Sequence, residues 1–120
     1  MNKPKVVLLP SRVDPEIGDL PSADLLPLEM LHIAPTAEAA GWEVVLVDAM
    51  TEPRYLERTL AECEGAQAFA SSCILGFQVW DGAKVAQAVR DRFPELPIMW
   101  GGWFPSAIPE LYLASDICDA

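Results

Sequence analysis

The chain has 120 residues, 52% of them hydrophobic, which matches one ordinary domain with enough apolar material for a single packed core and excludes a disordered chain. Eighteen acidic against eight basic residues give a formal charge of −10, the wrong sign for gripping nucleic acid phosphates or an anionic membrane surface. Cys63, Cys73 and Cys118 lie too far apart for a CxxC pair and leave one thiol over in any intrachain disulfide scheme, so a reducing cytoplasm is the expected compartment.

The first apolar run, Val6 to Leu9, reads as a buried strand and is far too short to span a bilayer. No basic segment followed by a long apolar stretch marks a secretory signal, so no export and no membrane partner are expected. The stretch Pro10 to Leu26, with Pro10, Pro15, Gly18 and Pro21, reads as a loop. A first helix is predicted from near Pro27 to Gly41, since proline suits a first turn and glycine the position past a helix end. Pro35 falls inside it and removes a backbone donor at a cost of about 3 kcal/mol in a regular helix, which predicts a kink or a late start.

Val44 to Val47 is the second predicted strand, followed by a helix over about Pro53 to Cys63 that buries Leu56 and Leu60. Ala68 to Ala70 is the third strand. A third helix, about Gly76 to Phe93, repeats Val79, Ala83, Ala86, Val89 and Phe93 at helical spacing, with Pro94 and Pro97 closing the unit. Ile98 to Trp100 is the fourth strand, and Asp116 to Ala120 reads as the beginning of a fifth. Strands alternating with helices of these lengths imply right-handed crossovers and a parallel sheet covered on both faces. The expected fold class is therefore α/β, a flavodoxin-like, Rossmann-like doubly wound sheet of strand order 2-1-3-4-5, truncated at the fifth strand. Residues 1–120 then form one domain, the N-terminal part of a longer protein whose catalytic domain is not included.

In such sheets ligands bind beyond the carboxyl ends of the strands, here at the loops after strands one and three. The first loop is far longer than the roughly 2 to 6 residues usual for such a link, which favours a functional role over a plain surface excursion. After strand three, Ser71, Ser72, Cys73, Ile74, Leu75, Gly76, Phe77 and Gln78 offer hydroxyls, an apolar floor and a glycine before a helix. Helix capping explains one hydroxyl; two, several residues ahead of the helix, favour a polar ligand contact. After strand four, Gly101 and Gly102 admit a flat group close to the backbone, flanked by Trp100 and Trp103; the plain alternative is a tight turn with Trp103 and Phe104 packed in the core.

Together these segments resemble the cobalamin-binding domain at the N-terminus of cobalamin-dependent radical S-adenosylmethionine enzymes. The residues carrying the likeness are Pro27-Leu28-Glu29-Met30-Leu31 through Gly41-Trp42-Glu43-Val44, the Ser71 to Gln78 loop, and Pro97-Ile98-Met99-Trp100-Gly101-Gly102 with Phe104-Pro105-Ser106 and Pro109-Glu110 behind it. The resemblance implies that the loop with Ser71, Ser72, Ile74 and Gly76 holds the corrin and its tail, and that Gly101 and Gly102, with Trp103 beside them, line the slot for the nucleotide base. Many cobalamin domains carry an Asp-x-His-x-x-Gly signature whose imidazole coordinates cobalt; the corresponding stretch here, Asp14-Pro15-Glu16-Ile17-Gly18, has no histidine. The lone histidine, His32, falls in the first predicted helix and reads as a packing or surface residue.

What the resemblance implies is thus cobalamin bound base-off without a protein histidine, in a radical enzyme, most simply a methyltransferase. S-adenosylmethionine and a [4Fe-4S] cluster belong to the catalytic domain expected in cis, because Cys63, Cys73 and Cys118 cannot form a Cys-x-x-x-Cys-x-x-Cys motif. The alternative is a non-catalytic corrinoid carrier or cobalamin-dependent sensor. A receiver domain is disfavoured by serines where strand three should end in aspartate, and a dinucleotide-binding domain by the single glycine of the first loop.

Overall fold

The structure, a computed structural model, describes residues 3–13 and 27–120. Most of the long loop after the first strand, including the Asp14 to Gly18 stretch, therefore lies outside the described residues. In chain order the elements are β1 (Lys5–Pro10), α1 (Leu28–Ala39), β2 (Glu43–Leu46), α2 (Tyr55–Cys63), β3 (Ala68–Ser72), α3 (Phe77–Arg92), β4 (Ile98–Gly101) and two short helices, α4 (Trp103–Ala107) and α5 (Pro109–Leu113). The four strands are parallel in the order β2-β1-β3-β4, as the doubly wound reading requires.

Strand periodicity divides the core. Val7, Leu9, Phe69 and Ile98 point to one face, where Val85, Ala86 and Val89 of α3 and Cys63 of α2 close over them. Val6, Leu8 and Ala68 point to the other, against Met30 of α1. The face under α2 and α3 holds most of the buried volume, whereas α1 covers its side alone among the described helices.

The three predicted helices form close to their expected bounds, at Leu28–Ala39, Tyr55–Cys63 and Phe77–Arg92, and the departures lie in their details. α1 starts at Leu28 and continues through Pro35, so the late start does not occur. In α3 the buried stripe includes Gln78 and Asp81 as well as Val85, Ala86 and Val89, a polar content that apolar periodicity cannot register. The short helices α4 and α5 were not expected; they pack Phe104 and Tyr112 against Trp100 and Cys73.

The final residues run beside β4, where a fifth strand belongs in the 2-1-3-4-5 order. The backbone N–H of Asp119 donates to Ile98 O (2.8 Å), and Trp100 N–H donates to Ala120 O (2.9 Å). Arg90 of α3 fixes this segment by donating to Asp116 O (2.7 Å) and to the Asp119 carboxylate (2.7 Å). Among the described residues no helix is long and apolar enough to cross a membrane.

Candidate functional site

The carboxyl ends of β1, β3 and β4 meet at one edge, and their crossovers diverge there: α1 leaves to one face of the sheet and α3 to the other. Two corrections to the sequence reading follow. Ser71 and Ser72 are the last residues of β3, not part of the loop beyond it, because they stay in register with Leu9 and Pro10 of β1. Gly101 likewise closes β4, opposite Ser72.

Being consecutive in a strand, the two serines face opposite ways. Ser71 is buried on the α3 side, donates its hydroxyl to Leu9 O (2.6 Å) and lies 3.1 Å from the Ser11 hydroxyl. Its hydrogen-bonding capacity is spent inside the protein. Ser72 faces α1 and donates to the Glu29 carboxylate (3.0 Å), in the first turn of that helix. Neither serine caps α3; Gly76 occupies that position, with φ 67°.

On the α1 face the edge opens into an apolar groove of about 480 Å³ between the sheet and the helix. Val6, Leu8, Ala68, Ala70 and Met99 form the sheet side, and Ile33 and Ala37 part of the helix wall. The floor is low because β3 presents only Ala68, Ala70 and then Ser72 on this face. His32 lines the groove from α1 and is otherwise exposed.

The two glycines after Trp100 have separate roles. Gly101 continues the groove face one pleat beyond Met99, and a Cβ placed on it meets nothing within 4 Å. Gly102 has φ 97°, and a Cβ there would run into the backbone carbonyl of Cys73. Gly102 is thus required for the close approach of two backbones, while Gly101 leaves open space one pleat beyond Met99 of the groove floor. Trp103 is 61% exposed and Phe104 is half-buried, so the expected alternative of both in the core does not hold.

Ile74 and Leu75 stand exposed on the β3–α3 loop, at 57% and 54%. The structure therefore brings Ser72, Ile74, Gly76 and Gly101 to one edge of the sheet and turns Ser71 away from the groove. Glu29, Ala70 and Met99 join the candidate site, although none was named as a site residue from the sequence. The signal for Ala70 and Met99 was the period-two alternation within the apolar runs of β3 and β4, whereas Glu29 of α1 has no such strand signal.

Buried polar side chains fix the edge from below. Arg12 donates to Ala49 O (2.8 Å), and Tyr55 donates to the Asp81 carboxylate at 2.7 and 2.9 Å. Burial pushes the Cys73 thiol above its ordinary value, opposed by its hydrogen bond with Tyr112 (3.2 Å). A buried thiol held protonated is a packing group rather than a nucleophile. The arrangement suits binding: an apolar slot on the α1 face, and an open glycine and exposed aliphatic side chains at the carboxyl edge of the same sheet.

A comparison with protein families matches residues 18–120 to the family described as B12 binding domain. No curated protein and no solved structure matches the chain.

Proposed function

Because the chain belongs to the B12-binding domain family, we propose that it holds cobalamin base-off, with the nucleotide tail in the groove beneath α1 and the corrin over the carboxyl edge of the sheet. The observation that carries this reading is the groove itself, floored by Ala68, Ala70 and Met99, with open space at Gly101 one pleat beyond Met99. A benzimidazole released from cobalt is a flat, largely apolar bicycle. Burying about 200 Å² of it contributes about 5 kcal/mol, enough to favour the displaced base over a solvated one.

Ser72 and Glu29 offer polar contacts to the tail where it enters, and Ile74, Leu75 and Gly76 support the underside of the ring. Trp103, exposed beside Gly102, forms a side wall. Ser71, assigned with Ser72 on resemblance, is reserved for holding β1 and β3 together. The chain's one histidine lies on α1 beside the groove, which supports binding without an imidazole on cobalt. Bound cobalamin supplies methyl-transfer and redox chemistry at cobalt; the residues described here bind, orient and exclude water.

We place the domain in a radical S-adenosylmethionine enzyme, most simply a methyltransferase, with its catalytic domain in cis and its S-adenosylmethionine and [4Fe-4S] sites there. Support comes from the Pro27-Leu28-Glu29-Met30-Leu31 and Trp100-Gly101-Gly102 segments and from the histidine-free Asp14 to Gly18 stretch. The test of binding is to mix the chain with hydroxocobalamin, remove free ligand and record the visible spectrum. A retained corrinoid with a base-off spectrum is expected, and a folded protein that retains none overturns the reading. Iron and acid-labile sulfide in the anaerobically purified native polypeptide test the radical assignment; their absence leaves a carrier or sensor.

A further inference from the structure

Gln78 spans the divergence of the two crossovers. It is buried at the start of α3, 5% exposed, and both ends of its amide are used. Oε1 accepts the backbone N–H of Ile74 at 2.7 Å, and Nε2 donates to the backbone carbonyl of Ser11 at 2.8 Å. One side chain therefore ties the loop after β3 to the first residue after β1. The positive φ of Gly76 turns that loop so that Ile74 and Gln78 meet. Ser11 is held at the same point by its N–H to Ser72 O (3.0 Å) and by its hydroxyl contact with Ser71.

We infer that Gln78 is a positioning residue for the cofactor: its amide fixes the separation of the two loops that flank the switch point, so that Ile74 and Leu75 stay presented to the ring. This rests on the cobalamin reading. The chemistry is specific to a primary amide, because the Ile74 N–H requires an acceptor and the Ser11 carbonyl a donor at the two ends of one side chain. Leucine of similar size supplies neither. Glutamate supplies the acceptor but faces the Ser11 carbonyl with a second acceptor.

The experiment compares the full chain with Gln78→Leu, Gln78→Glu and, as a control on the exposed face of α3, Gln87→Leu. Each is titrated with hydroxocobalamin at a temperature where urea denaturation shows it fully folded, and backbone amide exchange is followed over residues 73–77. Gln78→Leu is expected to weaken binding about tenfold or more and to raise exchange at Ile74. Gln78→Glu is expected to weaken binding while keeping Ile74 protected, and Gln87→Leu to change neither.

A merely structural role lowers the urea midpoint but leaves the affinity of the folded protein unchanged, which overturns the proposal. Should Gln78→Leu not fold, the Gln78→Glu comparison decides in the same way. A wild-type chain that retains no cobalamin overturns the functional reading instead. The clamp is then judged by exchange alone, and unchanged protection at Ile74 in Gln78→Leu overturns it.

Discussion

Ser72 of β3 and Gly101 of β4 stand opposite each other in the sheet, on the face covered by α1. The serine reaches across to Glu29 of α1, and the glycine leaves its own position empty. The pair continues the sheet face beyond Ala70 and Met99 of the groove floor, and several expected outcomes follow from it and from the residues that hold it.

Gly101 and Gly102 are adjacent yet should respond oppositely. Gly102→Ala places a side chain at φ 97° and against the Cys73 carbonyl, and should cost about 2 kcal/mol or more in urea denaturation. Gly101→Ala should stay within about 0.5 kcal/mol of wild type. Gly101→Trp should block cobalamin retention in a protein that remains folded.

Ala70 is the centre of the groove floor. Ala70→Phe should fill it, weakening cobalamin binding about tenfold or more while leaving cobinamide, which lacks the nucleotide base, bound as in wild type. Equal loss of both corrinoids would place the tail elsewhere.

Asp119 should make the terminal segment acid-sensitive. Its carboxylate accepts hydrogen bonds from Arg90 and from the Ile98 N–H, and both hold its pKa below the ordinary 3.8. The stabilisation is therefore complete above about 3.8 and is lost as pH falls through the lower folded value. The side chain is half exposed, so the effect should be under about 1 kcal/mol. Comparing urea midpoints of Asp119→Asn and wild type should show a gap at pH 7 that closes toward strongly acid pH.

All three cysteines are free and buried, and burial pushes Cys63 up to about 11. Cys73 and Cys118 are raised by the same cause. A thiol reagent such as 5,5′-dithiobis(2-nitrobenzoic acid) should label none of them at pH 8 in the folded chain and all three in urea. Rapid labelling of Cys73 in the native state would mean that the β3–α3 loop opens.

The alternation of short apolar runs with helices determined a parallel sheet from sequence alone, because each crossover helix returns the chain to the amino end of the sheet, and the flavodoxin-like class supplied the strand order that the structure shows. The convergence of the Ser71 to Gln78 and Gly101-Gly102 segments at the carboxyl edge was legible for the same reason. Which residues line the candidate groove was decided only by tertiary structure. Serine and glycine carry little strand preference, so the apolar runs stop at Ala70 and Trp100; pairing with Leu9, Pro10 and with one another carries Ser71, Ser72 and Gly101 into the sheet. Once paired, period two assigns Ser72 and Gly101 to the α1 face and Ser71 to the interior. The roles of Gly102 and Gln78 depend on backbones far apart in the chain, at Cys73 and Ser11, and no local pattern encodes such a distance.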